Sequence, residues 1–220
     1  MESRYVSLGF QCTVSTVFEN MNVKTETLPF DWMLSSPKFV YEMIFLLLSN
    51  NLSIEEIVRN HFFYCTKRSS ILKHNDIATV EHYVEDINGD SLYNEKYKVI
   101  FPHDHFDEEN IQKYIRRFER LKYILTNDEP TIFTYISPSS QSKGNFLIND
   151  ILIIDNTYYY ISKIYEMISY YRNNFKFCVL DSDTSTNKNT LNNNIILYNI
   201  EPKEVWLHIV KECEDKLKLI

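Results

Sequence analysis

Short apolar runs alternate along this chain with stretches whose apolar positions recur every three or four residues. Arg4 to Phe10 reads as a strand, with Tyr5, Val6 and Leu8 apolar and Gly9 closing it. Cys12 to Asn20 follows as a helix, because Val14, Val17 and Phe18 fall at helical spacing. After an irregular stretch from Thr27 to Pro37, Ser36 is a ready N-cap and Pro37 suits the first helical position. That helix is expected to run through Phe39, Met43, Phe45 and Leu47 to about Ser49. Ser53 followed by Glu56 forms a capping box for a second, short helix.

Residues 61 to 100 carry a weaker pattern. Phe62-Phe63-Tyr64-Cys65 and Ala78-Thr79-Val80 look extended, and Asn88-Gly89 is a turn signal, so a strand or hairpin excursion is expected. It leads to a short strand, Lys98 to Phe101, ended by Pro102. Beyond it, Glu108 to Leu125 is an amphipathic helix with Ile111, Ile115, Phe118, Leu121, Ile124 and Leu125 on one face. Thr131 to Ile136 has the β-branched and aromatic content of a buried strand. A polar loop from Ser137 to Asn145 and an apolar Ile151 to Ile154, a further strand candidate, precede a tyrosine-rich helix from Tyr158 to Tyr171. Phe175 to Leu180 and Ile195 to Tyr198 read as strands on either side of a polar loop, and Pro202 to Lys218 as a closing helix. This order predicts an α/β fold of three layers, a mostly parallel sheet with helices on both faces. No repeat or linker divides the chain, so 1–220 is expected to be one domain.

Composition changes the picture in two ways. A net charge of -7 argues against a nucleic-acid partner and against an anionic membrane surface. With 16 Tyr, 14 Phe, 3 Gly and many Asn, Ile and Lys, the chain has the skew of an AT-rich coding sequence, such as that of a large DNA virus or an AT-rich microbe. No signal peptide or membrane-length apolar run is visible, so a cytoplasmic setting with reduced thiols is expected (host cytoplasm for a viral protein). The four cysteines, Cys12, Cys65, Cys178 and Cys213, form no CxxC pair.

Three segments could carry chemistry. In Ser7-Leu8-Gly9-Phe10-Gln11-Cys12 a strand ends, a glycine turns, and a cysteine stands at the start of a helix. Unpaired N–H groups and the helix dipole there favour a thiolate, the form of cysteine that attacks electrophiles. The same spacing fits a buried cysteine packing as a small apolar residue. In Phe101-Pro102-His103-Asp104-His105-Phe106, His103 or His105 could serve as a general base and Asp104 could orient it, or the segment could be a turn whose aspartate caps the next helix. Two histidines flanking one residue can also grip a metal, but no third ligand is visible, so no metal or other cofactor is expected. In Leu28-Pro29-Phe30-Asp31-Trp32, Asp31 is the one charge in an apolar patch, a substrate contact or a loop-capping group. Arg116 and Arg117 could hold an anionic group, or line a solvated helix face. Gly-rich phosphate loops, G-x-S-x-G elbows and H-E-x-x-H are absent.

Ser7-Leu8-Gly9 with Cys12, Pro29-Phe30-Asp31-Trp32, Phe101-Pro102-His103-Asp104 and Arg116-Arg117-Phe118, in that order over about the first 120 residues, resemble a family of papain-like cysteine peptidases known from bacteria and large DNA viruses. The resemblance implies a cysteine-dependent hydrolase or acyl transferase. Cys12 would be the nucleophile, His103 the base, and Asp104 or Asp31 its polar partner. Gln11 would lie where an oxyanion donor could sit, with Trp32, His105, Arg116 and Arg117 as further candidates. It also implies an α+β papain-like fold with an antiparallel barrel, which competes with the α/β alternation. The alternatives to an enzyme are a non-catalytic viral or host-interaction module with the same fold and, third, a sugar- or nucleotide-handling protein of Rossmann type. An unknown protein or acyl substrate is the expected partner; the oligomeric state is left open.

Overall fold

The computed structural model describes residues 3–9, 12–33, 35–63, 71–73, 90–94, 99–101, 104, 107–136, 157–181, 192, 194–200 and 206–220. Its elements are β1 (Arg4–Ser7), α1 (Thr13–Asn20), α2 (Pro37–Ser49), α3 (Ile54–Ile57) running into a π-helical turn (Val58–Phe62), β2 (Ile71–Lys73), β3 (Asp90–Asn94), β4 (Val99–Phe101), α4 (Glu108–Thr126), β5 (Thr131–Ile136), α5 (Thr157–Tyr171), β6 (Phe175–Asp181), β7 (Ile196–Asn199) and α6 (Trp206–Leu217).

The helix starts follow local chemistry. Ser36 Oγ accepts from the Phe39 N–H at 3.2 Å with Pro37 at the first helical position. Ser53 and Glu56 close a reciprocal capping box. Asp107 caps α4, its Oδ1 accepting from the Asn110 N–H at 2.8 Å. One expectation fails here: Phe62 and Phe63 belong to a helical turn and its cap rather than to a strand. Both rings are buried, and a π turn aims them at the aromatic core where a strand would send one to each side. The extended readings at Tyr64, Cys65 and 78–80, the Asn88-Gly89 turn and the strand candidate at 151–154 lie outside the described residues, as do most of the two polar loops.

The main sheet has the order β1-β5-β6-β7 and is parallel throughout. Arg4 pairs with Thr131, Thr131 with Phe175, and Cys178 with Ile196. Every residue of β5 is buried, as a strand covered on both faces must be. One face packs under α5. Phe133 contacts Phe175 and Phe177, Tyr165 of α5 contacts both phenylalanines, and the Arg172 guanidinium sits 5.5 Å from the Phe133 ring centroid. The other face carries Cys178, whose thiol lies near Cys213 of α6. Helix α1 packs on α6 and β5, while α2, α4 and α5 pack on one another. The result is the three-layer α/β arrangement. The α+β alternative is thereby corrected: β2, β3 and β4 form a separate three-stranded antiparallel sheet, but the central sheet pairs in parallel. Among the described residues, no helix is long and apolar enough to cross a membrane.

Two features fix the packing near the N-terminal half. Phe62 is an aromatic hub, with ring centroids of Phe39, Phe63, Phe101, Tyr114 and Phe118 within 5.6 Å. Phe30 joins it through edge contacts with Phe39 and Phe118. Arg172, only 2% exposed, stitches the end of α4 to the start of β5 by donating to the Ile124 and Glu129 carbonyls and to Thr131 Oγ1 at 2.8 Å. Truncating the hub should be costly: Phe62→Ala is expected to lower the unfolding free energy by about 3–5 kcal/mol. Phe45→Ala, on the exposed side of α2, should stay within about 0.5 kcal/mol. Urea unfolding of both variants measures the difference; equal effects would contradict this account of the core.

Candidate functional site

At the C-terminal end of β1 the chain turns sharply. Gly9 has φ +87°, a conformation that glycine adopts at little cost, and its N–H donates to Ser7 Oγ at 3.2 Å. A methyl group at Gly9 would run into Ser35 Oγ and press on Phe30. The turn is therefore sealed against the Pro29–Trp32 segment. Cys12 stands at the N-cap of α1, its carbonyl accepting from the Thr16 N–H at 2.9 Å. It is partly exposed, whereas Cys178 and Cys213 are buried. Burial pushes the Cys178 thiol up to about 12 and the Cys213 thiol higher still, which leaves both inert at neutral pH. Cys65 lies outside the described residues.

Asp31 is 2% exposed. Its Oδ2 accepts from the Leu28 N–H at 2.9 Å and lies 3.5 Å from Lys24 Nζ. Burial is the largest influence and raises the carboxyl to about 6, against the opposing pull of Lys24, the Leu28 N–H and Arg117. Trp32 is half-buried and lies under the Lys24 ammonium, 4.6 Å from its ring centroid.

Asp104 is 5% exposed, and both of its carboxylate oxygens are engaged from α4. Tyr114 Oη donates to Oδ2 at 2.6 Å and Lys113 Nζ pairs with Oδ1. Asp104 does not cap α4, since Asp107 does. Burial first, and then the Asp104 charge, hold the Tyr114 phenol well above its usual range. Arg117 stacks over the Tyr114 ring at 4.7 Å, and its charge acts on both Tyr114 and Asp31. Arg116 is exposed on the same helix, and Arg120 reaches Glu26 at 3.8 Å. The basic run therefore does not act as one patch. It divides between solvent, the site and a surface ion pair.

The structure thus joins three of the sequence motifs in one polar seam. Asp104 meets Tyr114, Tyr114 meets Arg117, and the Arg117 charge reaches Asp31. Asp31 pairs with Lys24, which reaches Ser15 on the first turn of the Cys12 helix. Gln11, His103 and His105 lie outside the described residues. Among the described residues, no group of three His, Cys, Asp or Glu is assembled as a metal site.

Lys24 and Tyr114 were not singled out from the sequence. Tyr114 had a signal, since it falls three residues after Ile111 and four before Phe118 on the apolar stripe of α4. Lys24 had none: a lysine in an irregular stretch reads as solvated. A second buried pair lies on the main sheet. Tyr135 and Asp181 are fully buried near the ends of β5 and β6, and burial, with the Asp181 charge, raises the Tyr135 phenol well above its usual range.

Residues 3–155, more than half the chain, match the family described as "Putative papain-like cysteine peptidase (DUF1796)". The chain belongs to that family. Membership places it, in general terms, among proteins described as cysteine hydrolases. Neither the curated proteins nor the solved structures compared with it give a match.

Two outcomes follow. In the unfolded chain Asp31 ionises near 3.8, but in the folded protein it holds its proton to about 6. Between those values the folded state binds the extra proton, so this carboxyl's contribution to stability falls as pH rises from 3.8 to about 6, and it is constant above. The difference in unfolding free energy between wild type and Asp31→Asn should change across that window and be flat above it. A difference that does not vary with pH would refute the raised carboxyl. Separately, Gly9→Ala should cost about 1–3 kcal/mol from the left-handed backbone alone, with the clash on Ser35 added to it, as read by thermal unfolding.

Proposed function

We propose that the protein is a cysteine-dependent hydrolase or acyl transferase with Cys12 as its nucleophile. The observation that carries the reading is the placement of Cys12. It is the partly exposed cysteine among those described, it starts a helix, and it follows the first strand of a parallel sheet, where site residues of α/β folds gather. Family membership supports the same chemistry.

In this reading the Cys12 sulfur attacks an acyl carbon and forms a thioester. The proton it gives up passes through His103 to the leaving group. Water or an acceptor then attacks the thioester, returns a proton to the sulfur through the same histidine, and releases the acyl product. Asp104, which lies between the two candidate histidines in the sequence, is anchored on Tyr114 and Lys113. Asp104 also has lone pairs beyond those two contacts with which to orient an imidazole. Asp31 is less suited to that task, because it is committed to Lys24 and the Leu28 N–H. Gln11, next to the nucleophile, is the candidate oxyanion donor, and His105 the alternative base. The half-buried Arg117 is a better candidate than the exposed Arg116 for holding an anionic group of the substrate.

A second reading, a non-catalytic interaction module, is favoured by one observation. Phe45, Tyr159, Tyr170 and Tyr171 are large exposed apolar groups on α2 and α5, two helices that pack together. Such groups on neighbouring helices are a common feature of partner-binding surfaces.

Labelling with iodoacetamide, mapped by mass spectrometry, separates the two. Cys12 is expected to react in the native protein with an apparent pKa below the free-thiol value of roughly 8.5. His103→Ala should move that value back toward the free thiol, while Cys178 and Cys213 stay silent until denaturation. Labelling of Cys12 only on denaturation would remove the enzymatic reading and leave the interaction module.

A further inference from the structure

Lys24 lies in the irregular stretch between α1 and the Pro29–Trp32 segment, yet its side chain is 9% exposed. Its ammonium donates to Ser15 Oγ and to Glu19 Oε1 at 2.9 Å, and lies 3.5 Å from Asp31 Oδ2. Three donors therefore face three oxygens, two on α1 and one on the motif segment. Burying an ammonium is costly unless it is fully answered, and here it is. Ser15 stands three residues after Cys12, one turn along the same side of α1. Gly9 stands three residues before Cys12 and is sealed against Phe30 and Ser35. The turn three residues before Cys12 is thus packed on Phe30, and the helix that Cys12 starts is tied through Lys24 to Asp31 of the same segment.

We propose that Lys24 is a positioning residue, which clamps the first turn of α1 to Asp31 and so fixes where Cys12 stands, and that the clamp slackens when Asp31 takes up a proton. The inference rests on the reading of Cys12 as a nucleophile but assigns a residue that reading does not use. Among the described residues, the charged and titratable groups facing Asp31 are Lys24 from the stretch after α1 and Arg117 and Tyr114 from α4, with Glu19 of α1 acting through Lys24. Tyr114 is held well above its usual range and does not ionise near neutrality, whereas Asp31 changes charge near pH 6. Protonation removes the attraction across the 3.5 Å gap and leaves the contacts of Lys24 with α1 in place.

The test is amide hydrogen exchange of residues 12–20, read by mass spectrometry and corrected for intrinsic rates. It compares wild type, Lys24→Met, Asp31→Asn and the double variant across the range around pH 6. At pH 8 each single variant should exchange its first-turn amides about tenfold faster than wild type, the scale of directly coupled groups. The double variant should be no faster than either single one. Wild type should lose protection as pH falls through about 6, and Asp31→Asn should show no such step. Unchanged exchange in Lys24→Met, additive effects in the double variant, or a flat wild-type profile would each overturn the proposal. Should Lys24→Met fail to fold, Ser15→Ala replaces it, because it removes one arm of the clamp without stranding a charge. Its effect must vanish in the Asp31→Asn background, and persistence there overturns the proposal. Iodoacetamide labelling of the same samples keeps the two readings apart. Slow labelling of native Cys12 at every pH, with exchange as expected, removes the nucleophile and leaves the clamp. Rapid labelling that Lys24→Met does not alter removes the positioning role and leaves the nucleophile.

Discussion

A carboxylate taken out of water has to be answered by positive charge, and the organisation around Asp31 follows from that need. Its answers come from two directions: Lys24, tied to α1, and Arg117, on α4. The two helices belong to different layers, since α1 packs on α6 and α4 packs with α2 and α5. A single buried acid therefore ties the motif segment to Lys24, and through it to α1, while the Arg117 charge acts on it from the other layer. The fastening is not a bargain in stability, because burial outweighs its partners and raises the carboxyl to about 6. Asp31 thus costs stability at neutral pH while it holds Lys24 beside the first turn of α1.

The apolar core provides the rigid setting for that polar seam. Phe62, Phe39, Phe118 and Phe30 interlock through ring contacts, so the motif segment that carries Asp31 is pinned by Phe30 on one side and by its carboxylate on the other. Tyr114 belongs to both systems. Its ring packs on Phe62 and Phe63, while its hydroxyl holds Asp104. Small displacements in the core would thus reach the polar groups, since close-packed interiors transmit strain rather than absorb it.

The family's papain-like label and the architecture point to different things. The chemistry named by the label, a cysteine hydrolase, is compatible with a thiol at the start of α1. The fold it suggests is not the one present, because the central sheet is parallel with helices on both sides. Cysteine nucleophiles recur on unrelated scaffolds by convergence, so the chemistry does not depend on the papain topology.

Local chemistry in the sequence determined most of the elements. Capping at Ser36, Ser53 and the apolar stripe of α4 depend on neighbours within a few residues, and β5 was legible from its composition alone. The placement of Cys12 between strand and helix was legible for the same reason. The sequence failed where partners are distant. Phe62 and Phe63 look extended in isolation, and only the surrounding rings draw them into a helical turn. Asp104 looked like a turn or capping residue until Tyr114 and Lys113, about ten positions on, buried it. Lys24 was invisible, because nothing local distinguishes a lysine that will stay in water from one that will meet Ser15, Glu19 and Asp31. Periodicity and capping are short-range and are written into the chain order. The burial of a charge depends on which surfaces come to face each other, and that was decided by the tertiary structure alone.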